Sequence, residues 1–164
     1  DGRTPSGLYR LGTVFGYAES VETRMPYRQA LVDDLWVDDP EAPDYNRWVK
    51  LHETKAASYE KMKRDDDQYK YGLVIEYNTH PVIPGRGSAI FLHVREKRGA
   101  PTSGCIALSE EDLLKILGWL HPAAAPVIWI NPDEDETGLY PLDVLQCPSR
   151  QCQPIASERN RACF

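Results

Sequence analysis

Only one stretch of this chain repeats apolar residues at helical spacing strongly enough to pack on a core. Ser109-Glu-Glu-Asp112 followed by Leu113, Ile116, Leu117 and Leu120 reads as a capped helix with an acidic first turn, stopped at His121-Pro122. Around it the pattern has period two, in runs too short for anything but strands. Thirteen prolines and eleven glycines among the 164 residues punctuate those runs. The sequence therefore predicts a mainly β fold of the α+β kind, with one or two helices packed on it.

The runs can be placed in order. From Leu8 to Phe15, Leu8, Arg10, Gly12 and Val14 fall on one parity and Tyr9, Leu11, Thr13 and Phe15 on the other, as in a strand covered on both sides. Short strands are expected at Tyr27-Arg28-Gln29 and from Leu35 to Asp38, followed by a turn-rich loop through Pro40 and Pro43. Trp48 to Lys63 holds the helix formers Leu51, Glu53, Lys55, Ala56, Ala57, Glu60 and Met62 over a thin apolar stripe, which predicts a surface helix. Tyr71 to Asn78 predicts a strand with Leu73, Ile75 and Tyr77 on one face. After a tight Pro-Gly connection, Ser88 to Val94 predicts another, with Ile90, Leu92 and Val94 opposite Ala89, Phe91 and His93. Ala125 to Ile130 predicts a short buried strand, and Asn131 to Gly138 an acidic loop.

A chain of 164 residues buries one good core, so one domain is expected over 1–138, with 139–164 as an appendage of little periodicity. A net charge of −6 without a basic face argues against nucleic acid as a partner. The Asp65-Asp66-Asp67 cluster beside Lys61, Lys63 and Arg64 reads as a solvated face. No apolar run is long enough to span a membrane. The chain opens on Asp1 without an initiator Met or an apolar leader, which predicts a fragment or processed form. Of the four cysteines, Cys147 and Cys152 flank a Pro-Ser turn and are the nearest pair for a bridge in an oxidising compartment, with Cys163 left over. Spacing alone fixes no connectivity.

Chemistry concentrates between Ser88 and Leu108. His93 projects from a strand end, and Thr102-Ser103-Gly104 delivers Cys105 just before the helix. A thiol near its unperturbed pKa of about 8.5 is mostly protonated at neutral pH, so a nucleophilic cysteine needs a base, and His93 is the candidate. The Gly-containing turn suits backbone N–H groups of Ser103, Gly104 and Cys105 to an oxyanion. The plainer alternative is that Cys105 is a small buried hydrophobe. His52 lies near the expected helix start, His121 at a helix end where a cation suits the last carbonyls, and His80 stands as a substitute base. Neither paired Cys spacing nor a His-x-x-x-His pair is present, so no metal and no cofactor is expected.

Ile90-Phe-Leu-His93 followed by Thr102-Ser-Gly-Cys105-Ile106 resembles the signature of the L,D-transpeptidase catalytic domain (YkuD-like) family, as does Thr4-Pro5-Ser6-Gly7 at the entry strand. Ser103 stands where a His is common there, and Ala107 where an Arg or Asn follows the Cys. The resemblance implies a β-sandwich with a helix beside it, Cys105 as nucleophile and His93 as base. It implies acyl transfer on peptidoglycan stem peptides, release of a terminal D-alanine, and capture of the thioester by a second stem's amine. Thr102 and Ser103 would line the substrate site, and Arg86 would offer a donor fork for a carboxylate. A secreted or envelope-bound monomer is the matching expectation. Water in place of the amine would make it an L,D-carboxypeptidase or cell-wall peptide hydrolase, and a structural Cys105 would leave a non-catalytic wall-binding module.

Overall fold

The computed structural model describes residues 2–95 and 101–131. The acidic loop, the 139–164 appendage and the three cysteines within it fall outside the described residues. Strands β1 (Gly7–Gly16), β2 (Tyr27–Gln29), β3 (Asp34–Val37), β4 (Trp48–Lys50), β5 (Tyr59–Lys61), β6 (Tyr71–Ile75), β7 (Phe91–Val94) and β8 (Ile106–Leu108) precede helix α1 (Glu110–Trp119) and strand β9 (Val127–Ile130). The described fold is mainly β, with two sheets and a single α-helix.

The larger sheet runs β2-β1-β6-β7-β8, with β9 also pairing β1, and β4-β3-β5 form a second sheet. Alternation along the central strands divides the apolar residues between two cores. Leu73 and Ile75 of β6 and Leu92 and Val94 of β7 join Leu113, Leu117 and Leu120 in a core under α1. Val74 and Phe91 point the other way, meeting Trp36 and Met62 from the smaller sheet's side, with Phe15 and Tyr69 between. The large sheet is thus the middle layer, with the helix on one face and the small sheet on the other.

Several expectations change, and β9, expected as a buried strand, has only Ile128 buried. Parity puts Leu11 and Val14 on opposite faces of β1, yet both enter the helix-side core. The register against β6 shifts between them, and this bulge turns the strand over, so Phe15 enters the opposite core.

The helix expected over 48–63 is absent. Those residues form β4 and β5, which flank β3 on its two edges. All of β3 is buried, so its backbone N–H and C=O groups need partners on both sides, and that demand overrides the weak propensity of the helix formers. His52 therefore sits in an exposed turn after β4, not at a helix start.

His121 lies one residue beyond the Leu120 C-cap of α1. Its Nδ1 accepts from Ala123 N–H at 3.1 Å and caps a short 3-10 turn over Pro122–Ala124. The Ser109 cap is as expected, its hydroxyl accepting from Asp112 N–H.

Candidate active site

The parallel pairing of β7 with β8 sets Leu92 opposite Ile106 and His93 opposite Ala107. Cys105, one residue before β8, therefore comes level with Phe91, on the same side of the sheet as Phe91 and His93. Arg95 N–H bonds the Leu108 carbonyl, so Ile106 and Leu108 direct their backbone groups at β7. By alternation those of Cys105 and Ala107 face away from β7, and among the described residues no further strand covers that edge.

The same alternation explains where the sulfur sits. Ala89 and Phe91 face the β8 side, where a continued strand would offer its own backbone. The chain instead turns at Gly104, whose φ of +109° suits glycine, and where a Cβ would lie 2.9 Å from the Arg3 carbonyl oxygen. In the vacated place the Cys105 Sγ–H donates to the Ala89 carbonyl at 3.2 Å. Thr102 Oγ1 donates to the Cys105 carbonyl, tying the turn across its base. Burial pushes the Cys105 thiol up to about 11; the Phe91 N–H pulls it down, Glu60 adds to the rise and Arg64 opposes it.

His93 is 3% exposed. Its Nδ1 lies 2.9 Å from the Val94 carbonyl oxygen. A carbonyl only accepts, so Nδ1 carries the ring proton and Nε2 is left as an acceptor. Burial, chiefly, holds this imidazole below its ordinary pKa, with the Val94 carbonyl opposing, so the ring is neutral near pH 7.

Two further residues shape this region. The Tyr69 ring meets His93 edge-on at 5.4 Å and Phe91 at 5.8 Å. Arg64 lies over that ring at 5.2 Å while its guanidinium binds Asp66 at 2.9 Å, so part of the expected solvated charge cluster is built into the site's wall. Their proximity to His93 comes from packing across 24 (Tyr69) and 29 (Arg64) residues of chain, which no local pattern records. Of the remaining candidates, His80 and Arg86 are exposed in the connection before β7, where Tyr77 Oη donates to the Arg86 carbonyl. Ser103 is exposed on the turn itself. Among the described residues no three His, Cys, Asp or Glu side chains converge to hold a metal.

A buried imidazole whose Nε2 is an acceptor, on the same side of the sheet as a thiol one strand over, supplies the two group types that thiol deprotonation requires. The family model described as the L,D-transpeptidase catalytic domain (YkuD) matches residues 1–128. The chain belongs to that family, whose members are generally enzymes acting on peptidoglycan. No curated protein and no solved structure matches it. No helix among the described residues is long and apolar enough to cross a membrane.

Proposed function

We propose that this chain is an L,D-transpeptidase-type cysteine acyltransferase acting on peptidoglycan stem peptides outside the cytoplasm. The observation that carries the reading is the pairing of tautomer and strand position. His93 spends Nδ1 on Val94 and keeps Nε2 open, two residues along β7 from the level of Cys105 and on the same side. In this reading the thiol proton passes to Nε2 and the sulfur bonds the stem-peptide carbonyl carbon. The tetrahedral oxyanion is held by the N–H groups of Ser103, Gly104 and Cys105. Collapse breaks the carbon–nitrogen bond, and the departing D-alanine amine takes the proton from Nε2. An acceptor amine then attacks the thioester, and the C–S bond breaks to regenerate the thiol. Thr102 and Ser103 flank the substrate, and Arg86 receives a carboxylate. The catalytic unit spans 1–138, and the chain acts as a monomer.

Intact-mass measurement tests the first half. A carbapenem or a stem tetrapeptide should leave one acyl adduct on Cys105, and a folded protein whose Cys105 resists both removes the enzyme reading in favour of a wall-binding module. Product masses test the second half, since a cross-linked dimer supports transfer and a tripeptide alone supports water as the acceptor. Replacing His93 with Gln should slow acylation by about 10²–10⁴-fold.

A further inference from the structure

The carbonyl that holds the thiol belongs to an unusual residue. Ala89 adopts a left-handed backbone, φ 55°, which a Cβ disfavours. Something must hold it there. The amide of Asn46, 3% exposed and itself at φ 56°, is the group in contact. Its Oδ1 accepts from Ala89 N–H at 3.1 Å and from Trp36 Nε1–H at 2.8 Å. Its Nδ2 donates to the carbonyls of Tyr77 at 3.1 Å and Asn78 at 2.8 Å. Both lone pairs and both hydrogens are used, so the side chain has one orientation. It ties β3, the turn after β6 and the residue two before β7 to one point, and the carbonyl of that same Ala89, in the next peptide unit, accepts the thiol.

We propose that Asn46 is a positioning residue for the Cys105 thiol, acting through Ala89 by fixing the turn whose carbonyl holds the sulfur in place. The inference rests on the reading of Cys105 as a nucleophile. A hydrogen bond from S–H to a carbonyl favours the neutral thiol, and the carbonyl dipole opposes a thiolate, so releasing Ala89 should make the thiol more acidic. The other groups that act on the sulfur are the Phe91 N–H on β7, Glu60 on β5, and Arg64 and Tyr69 before β6. The proposed change leaves all of them in place.

The test is a thiol titration of the full chain carrying Cys147→Ser, Cys152→Ser and Cys163→Ser, so that Cys105 alone is read. Asn46→Gly suits the left-handed backbone and deletes only the amide. Its midpoint, followed by iodoacetamide rate and by ultraviolet thiolate absorbance, should fall by at least about one pH unit, giving some tenfold more thiolate below the midpoint. Trp36→Phe removes the other donor from the same Oδ1 but keeps its bond to the Ala89 N–H, and should leave the midpoint in place. An unmoved midpoint in folded Asn46→Gly, or an equal shift in Trp36→Phe, overturns the proposal. Should Asn46→Gly not fold, amide exchange in the unmutated protein decides. Protection of Ala89 N–H supports the link, and exchange at the free-peptide rate overturns it. The absorbance arm needs no reactive thiol, so a Cys105 that titrates but is never acylated by carbapenem fails the catalytic reading and leaves the positioning result standing.

Discussion

A base that is to receive a proton must hold none at the receiving nitrogen, and His93 meets that condition through burial and through the Val94 carbonyl that fixes its tautomer. With the thiol pushed up to about 11 and the imidazole pushed down, the resting pair is neutral on both sides rather than an ion pair. In the proposed reaction the proton moves only when a carbonyl is present to take the sulfur. This makes a pH prediction for the proposed activity. A protonated imidazole accepts nothing, so kcat/KM should fall on acidification, and the lowered pKa places that fall below the ordinary imidazole value of about 6.5. A midpoint at or above that value in the kcat/KM profile contradicts the buried, neutral base. At this scale the sequence was half legible. Period two along β7 placed His93 with Ala89 and Phe91, and the structure keeps that face. Asn46 and Tyr69 were not legible, because an Asn in a turn-rich loop and a Tyr beside an acidic cluster carry no sign of the distant residues they meet.

Elements were legible where one pattern decided them and illegible where a neighbour did. Helix α1 has its own cap, its own apolar stripe and its own stop, so local sequence suffices. Strands β4 and β5 exist because β3 is buried and needs edges, which no window over 48–63 contains. Strand β8 is three residues long, too short to show alternation, and is held by its parallel pairing with β7. Strand β1 shows alternation but also a bulge, and the bulge moves Phe15 to the face it shares with Gly72 of β6. That face explains the glycine, since a Cβ at Gly72 would fall 2.2 Å from the Phe15 ring carbon Cζ. Phe15 is fully buried against Trp48, Tyr69 and Phe91 and has nowhere to retreat. Gly72→Ala should therefore destabilise the fold by about 1–3 kcal/mol. Urea unfolding with an unchanged m-value would read that loss, and a neutral result would mean that the aromatic layer yields more readily than its packing indicates.

The whole molecule stacks a helix, a central sheet and a small sheet, and the proposed chemistry lies between the two sheets, where titratable groups are partly desolvated. Stability should consequently respond to pH through a few identifiable groups. His93 has a lowered folded pKa, so between that value and about 6.5 the unfolded chain binds more protons, and stability present above 6.5 is lost as pH falls. Asp34, 1% exposed, follows the same sign at lower pH. Burial raises its pKa, but the Leu31 N–H, Trp48, Lys50 and Arg28 outweigh that, and the net shift is downward. Its contribution is present above about 3.9 and disappears below it. Cys105 works from the alkaline side. Its raised pKa means that the folded protein holds its proton longer, so stability present below about 8.5 is lost as pH climbs towards the folded value. Chemical unfolding between pH 2 and 10 should thus give a plateau with a shoulder on each side. His93→Gln removes the group that must charge on acidification, so it should flatten the profile between pH 7 and 5 while leaving the steeper acid loss through Asp34. Cys105→Ser should flatten the alkaline shoulder and leave the acid one. A His93→Gln protein that still loses stability over pH 7 to 5 as the parent does would assign that loss to other groups, and with it would go the case for a buried neutral imidazole between the sheets.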